Sequence, residues 1–227
     1  MTLRRPAPRA GRSAEGHERR LADLVRLVAG IAVLVSTSRL VRPASVDRLE
    51  ATLFRAVNDL VLPAWTWPGV WLVMQLGVIG AVPLVASLAL ATRRLRLGLD
   101  AVLAAGSIYV IAKVVKGFVE RGRPDALLDG VQVLGERAGG LGYVSGHSAV
   151  SVALAAVAAP YLPGRVRWVA WALAAAVSLA RVYVGAHLPY DVIGGAALGL
   201  AAAALVHLVL GAPVRGVAGP VAHQPGS

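Results

Sequence analysis

VIGGAALGLAAAALVHLVL, residues 192–210, contains one titratable side chain, His207, and otherwise only apolar residues and glycine. As an α-helix rising 1.5 Å per residue, the stretch is roughly 28 Å long, close to the ~30 Å hydrocarbon core of a bilayer. A helix apolar on every face belongs in a membrane or deep inside a large core. The rest of the chain decides between these. It has 227 residues, 57% of them hydrophobic and 15% charged, with a mean hydropathy of +0.67. A chain of this composition dissolves in lipid.

Working outward from residues 192–210, comparable runs lie at 168–185, 148–162, 99–115, 67–91 and 24–41. Between Pro43 and Pro63, Val46, Leu49, Leu53, Val57 and Leu60 recur at helical spacing among charged neighbours, which reads as a helix lying in the interface. The expected fold is all-α: a polytopic membrane bundle of six transmembrane helices plus one amphipathic interfacial helix. Residues 1–20 read as a disordered, basic cytoplasmic tail, 21–211 as the six-span domain and 212–227 as a second disordered cytoplasmic tail. The first run lacks a clear small-x-small cleavage site, so it reads as a retained span rather than a signal peptide.

The net charge of +11 does not point to nucleic acid, because the basic residues form short clusters between apolar runs. Placing the amino-terminal tail in the cytoplasm puts Arg93, Arg94, Arg96, Arg165, Arg167 and Arg215 on that same side, as the positive-inside rule requires. Trp65 and Trp67 then mark the outer interface, and Trp168 and Trp171 the inner one. Of the 23 basic residues only Lys113 and Lys116 are lysine, a bias matching a GC-rich bacterial genome. Cysteine is absent, which excludes disulfides and thiolate metal sites.

In this topology three polar segments share the extracytoplasmic side: KGFVERGRP (116–124), VSGH (144–147) and RVYVGAHLPYD (181–191). Charged groups at span ends are costly unless they pair or serve a site. Lys116, Arg123 and Arg181 suit a tetrahedral dianion, with arginine offering forked donors and lysine a compact charge. Ser145 and Gly146 precede a helix start, where free N–H groups favour phosphate. His187 has Asp191 four residues on to fix its tautomer and free the other ring nitrogen as nucleophile, while His147 suits general acid work. Ser-Gly-His alone is more often an ordinary helix cap, and single cations at span ends are ordinary lipid anchors; the joint occurrence of three segments carries the reading. Arg121 and Arg137 read as anchors of that kind, Glu120 and Asp125 as partners for nearby arginines, and His207 as structural. The glycines of 125–142 predict a mobile connection, either a lid over the site or a loose linker.

These residues resemble the type 2 phosphatidic acid phosphatase superfamily, membrane phosphatases related to vanadium haloperoxidases. The family's motifs are a lysine six residues ahead of Arg-Pro, a Pro-Ser-Gly-His, and a Ser-Arg followed by His and Asp. Here they fall on Lys116, Arg123 and Pro124; on Ser145, Gly146 and His147; and on Arg181, His187 and Asp191. Val144 replaces the motif's proline and Ala180 its serine. The resemblance implies that His187 attacks phosphorus and forms a phosphohistidine, that His147 protonates the leaving group, and that no metal or cofactor takes part. Lys116, Arg123, Ser145, Gly146 and Arg181 would hold the phosphoryl oxygens. The implied partners are a membrane lipid phosphate and the bilayer. Two alternatives are a carrier or transporter subunit that binds anionic lipids without chemistry, and a phosphotransferase in which an alcohol replaces water.

Overall fold

The computed structural model describes residues 10–78 and 80–211, with side chains from residue 18 onward. Among the described residues there are helices and no strands. In order they are α1 (Ala10–Leu40), α2 (Arg48–Asn58), α3 (Trp67–Gln75), α4 (Ala81–Ala91), α5 (Leu95–Val119), α6 (Pro124–Leu127), α7 (Gly146–Ala158), α8 (Gly164–Tyr183) and α9 (Pro189–Leu210), with short 3-10 turns at Ala64–Thr66 and Ala159–Tyr161.

Four described helical segments are long and apolar enough to cross a membrane: Glu18–Leu40, Leu95–Leu127, Gly164–Tyr183 and Pro189–Leu210. The protein is an integral membrane protein. Two of the six expected spans are not continuous helices of that length. Residues 67–91 divide into α3 and α4 around the Leu-Gly-Val-Ile-Gly sequence at 76–80, and α7 gives way to a 3-10 turn at the Ala-Pro-Tyr of 159–161. Apolar composition persists through both breaks, which is why hydropathy alone passes over them. At the amino terminus, α1 takes in residues 10–20, which the sequence assigns to the basic tail. Alanine, arginine and glutamate favour helix there, so the helix starts ahead of the apolar segment. Residues 1–9 and the second tail, 212–227, lie outside the described residues.

The core forms around α9, which packs against α1, α7, α5, α8 and α2. Small residues allow the approach. At Gly195 and Gly199, a GxxxG spacing, an added Cβ would run into the carbonyl oxygens of Ser145 and Ala149 on α7 and the residue before it. Tyr143, fully buried, ties the segment ahead of α7 to α1. Its hydroxyl lies 2.7 Å from Thr37 Oγ1 and 2.9 Å from Ser38 Oγ and donates to the Leu34 carbonyl.

At α2 the apolar stripe divides, with Val46 and Val57 packed inward and the leucines outward. Its buried positions are Glu50, Phe54 and Asn58, at i, i+4 and i+8, whereas Leu49, Leu53 and Leu60 are exposed. The helix docks on α8 and α9 through Phe54 and Val57, which pack with Val182, Leu188 and Val192, and through the polar Glu50 and Asn58, while its leucines point away from the protein. Hydrophobicity marks a face that meets an apolar medium, and for the leucines of this helix that medium is not the bundle.

Candidate active site

The three motif segments converge where α5 ends and α7 and α9 begin. Helix α5 stops at Glu120, whose left-handed φ of 49° turns the chain, with its N–H donating to the Lys116 carbonyl. A non-glycine residue in that region costs about 1–3 kcal/mol. The turn sends Arg121 inward, and Pro124 at the first position of α6 restarts a short helix.

Arg121, read from sequence as an interfacial anchor, is instead fully buried. Its Nη1 donates to Glu50 Oε1 at 3.0 Å and to Asp191 Oδ1 at 3.1 Å, and Nη2 donates to Glu50 Oε2. Glu50 also accepts the N–H of Tyr190. A guanidinium thus joins α2 to the start of α9 and fixes one oxygen of Asp191. The other oxygen accepts the Leu188 N–H at 2.9 Å, and the Asp191 carbonyl accepts from Ser145 N. Motif positions alone do not reveal this role. The available signals were an arginine two residues before Arg123 and a glutamate one helical turn before a phenylalanine, both weak.

His187 is 3% exposed. Its Nδ1 faces Asp191 Oδ2 at 3.6 Å, and Nε2 lies 3.5 Å from Arg123 Nη1. Burial pushes the His187 pKa down to about 4, against the opposing pull of Asp191, so the free imidazole is neutral at neutral pH. Arg123 donates to the carbonyls of Ala186, Gly139 and Gly140, and Lys116 donates to Leu141 O at 2.7 Å. Each retains spare N–H donors after these bonds. Arg181 makes no ion pair among the described residues; its Nη1 meets only Met74 Sδ, at 3.6 Å, and its buried Nε has no partner. His147, in the first turn of α7, stands in the electrostatic field of Arg181, His187 and Arg123. Ser145 is the N-cap of α7, fully buried, with Oγ 3.2 Å from Ser148 Oγ; a Cβ added at Gly146 would meet open space. Four cations therefore face two carboxylates, leaving a formal surplus of two positive charges.

The 125–142 connection is anchored rather than loose. Asn58 Nδ2 donates to the carbonyls of Gln132 and Tyr183, Leu134 N to Val184 O, and Arg137 pairs with Asp125 at 3.0 Å. Gly130, Gly135 and Gly140 have positive φ, so they serve turns and not general mobility. Val144 is fully buried in the main core, and Ala180 packs against the cluster of Met74, Val184 and Ala186.

The sequence model of the PAP2 superfamily matches residues 97–215. A lipid A 4'-phosphatase of Porphyromonas gingivalis is 32% identical over 99 residues, 41% of this chain, and the match spans only 42% of that relative's length. Two solved structures share the fold. LpxE of Aquifex aeolicus, 22% identical, superposes with a TM-score of 0.65 over 70% of this chain and 95% of its own. A transmembrane PAP2-type phosphatidylglycerolphosphate phosphatase of Bacillus subtilis, 23% identical, superposes with a TM-score of 0.65 over 80% and 94%.

Proposed function

Because the chain belongs to the PAP2 superfamily, we propose that it is a membrane phosphatase cleaving a phosphomonoester or diphosphate of a lipid through a phosphohistidine at His187. The observation that carries this reading is the setting of His187. One ring nitrogen faces a carboxylate held by Arg121 and the Leu188 N–H, and the other faces the cation cluster. A carrier needs the cations but not that arrangement.

In the proposed reaction, Nε2 of neutral His187 attacks phosphorus while the bond from phosphorus to the leaving oxygen breaks. His147, which takes up a proton as the dianion binds beside it, gives that oxygen its proton. Lys116, Arg123, Arg181 and the Gly146 amide bind the non-bridging oxygens, and the surplus of two positive charges matches a phosphate dianion. Water then attacks the phosphoryl group, His147 takes its proton, and the P–N bond breaks to release inorganic phosphate and regenerate His187. With Ser145 Oγ turned toward Ser148, that residue shapes the start of α7. Each step uses only the chain's own groups, so no metal is required.

The proposed topology has six spans, with α3 and α4 together forming the second and α7 with its following turn the fourth. Both termini are cytoplasmic and the histidines extracytoplasmic. Residues of the described inner connections gather at the end away from His187, where Arg94 reaches Tyr161 O and Arg96 reaches Gly211 O. This supports the assignment. The test is phosphate release from a panel of phosphatidic acid, phosphatidylglycerol phosphate, polyprenyl diphosphate, a polyprenyl-phosphate sugar phosphate and lipid A, each with and without chelator. Release within about twofold in chelator, and its loss in His187→Ala, are expected. Binding without release from any lipid would favour the carrier, and an alcohol-phosphate product the phosphotransferase.

A further inference from the structure

Among the described residues, the chemistry above leaves one buried histidine unused. His207 sits at the other end of α9, 4% exposed, beside an open cavity of about 650 Å³ bordered by the start of α1, the end of α7, the start of α8 and the second half of α9. Its Nδ1 is 3.7 Å from Asp23 Oδ1, a carboxylate 2% exposed that also accepts from Arg26 Nη1 at 2.7 Å. Its Nε2 is buried with no hydrogen-bond partner among the described residues, a situation that costs free energy unless some group bonds it.

The cavity divides by chemistry. Ala156, Leu200, Ala203 and Ala204 give it an apolar wall, and among the described residues Arg26, paired with Asp23, and Arg167 bring positive charge to its rim. Arg167 has no ion pair among the described residues. Trp168 and Trp171 also line it, and tryptophan favours the depth at which headgroups meet acyl chains. A small free anion has no use for the apolar wall, and a neutral lipid has none for the arginines. An amphiphile with a negative head satisfies both, and the volume falls within the ~300–1,000 Å³ of ordinary ligand sites.

We propose that this cavity binds one anionic glycerophospholipid from the leaflet opposite the catalytic histidines. Its phosphate lies by Arg26 and Arg167, the upper part of an acyl chain runs along the alanine wall, and a headgroup or glycerol oxygen meets His207 Nε2. The inference rests on the membrane placement of the helices and not on the phosphatase reading.

The test exposes the purified full chain to mixed micelles of equimolar phosphatidylglycerol and phosphatidylcholine and counts retained lipid by native mass spectrometry. One phosphatidylglycerol per chain is expected, enriched about tenfold over phosphatidylcholine. The double variant Arg26→Gln/Arg167→Gln loses about that whole enrichment. Arg167→Gln alone, which breaks no ion pair among the described residues, loses at least about threefold and carries the test if the double variant does not fold. Ala156→Leu, at a partly buried position, narrows the wall without changing charge and lowers retention as well. Equal retention of the two lipids by the unaltered chain, or undiminished enrichment in the arginine variants, would overturn the proposal. So would unchanged retention in Ala156→Leu, which would mean charge attraction at the surface alone. Displacement of the lipid by millimolar inorganic phosphate would likewise contradict a lipid occupant.

Discussion

Helix α9 begins and ends near buried histidines that each face a carboxylate at nearly the same distance, His187 with Asp191 at 3.6 Å and His207 with Asp23 at 3.7 Å. Judged by that pair alone they are equivalent. Their surroundings separate them. Asp191 is fixed by a buried guanidinium and a backbone N–H, and beyond His187 lie Arg123, Arg181 and His147. Asp23 shares Arg26, and beyond His207 lies a cavity with an apolar wall. A histidine becomes a nucleophile through what its second nitrogen meets and how firmly its carboxylate is held; the pair itself is common chemistry.

The sharpest way to break the comparison is to remove each ring. His187→Ala should lower kcat by roughly 10⁴-fold, and His207→Ala by less than about twofold, in a steady-state phosphate-release assay. Similar losses at both positions would mean that the surroundings do not matter as argued. Next come the carboxylates: Asp191→Asn should cost roughly 10³-fold in kcat with little change in KM, while Asp23→Asn leaves kcat within a few-fold. Arg121→Gln leaves Glu50 and Asp191 buried without their cation, so a loss of about 3–5 kcal/mol of stability is expected, read as a fall in the thermal midpoint.

A smaller effect is the pH dependence of His187. Its pKa is lowered to about 4, so the neutral, nucleophilic form persists below the usual imidazole range and is lost as pH falls through about 4. The acid limb of kcat/KM, corrected for substrate ionisation, should therefore fall near pH 4 and not near 6.5. A limb near 6.5 would contradict the burial of that ring in the working enzyme.

The sequence made the all-helical membrane class and the three polar segments legible, because hydropathy and motif spacing are local properties. The structure gathers the residues of these segments around Arg123, which lies in the field of Lys116, His147, Arg181, His187 and Asp191. It was not legible that Glu50 and Arg121 meet, since 71 residues separate them and the contact exists only once α2 lies against α9. Nor was the docking face of α2, because its leucines advertise an apolar side that turns away from the protein. The breaks at 76–80 and 159–161 escaped for a related reason. A hydropathy window registers composition, whereas helix continuity depends on the backbone preferences of individual Gly and Pro residues. His207 read as structural because Asp23, its partner, lies on a helix 184 positions earlier in the chain.

The central claim is that His187 carries the phosphoryl group. Rapid alkaline quench during turnover, followed by peptide mass spectrometry, tests it directly, since phosphohistidine survives alkali and is lost in acid. The account predicts a phosphoryl group on the peptide bearing His187, strengthened in His147→Ala with a substrate whose leaving group needs no protonation, and absent in His187→Asn. A phosphoryl group on any other residue, or continued turnover in His187→Asn, would contradict it.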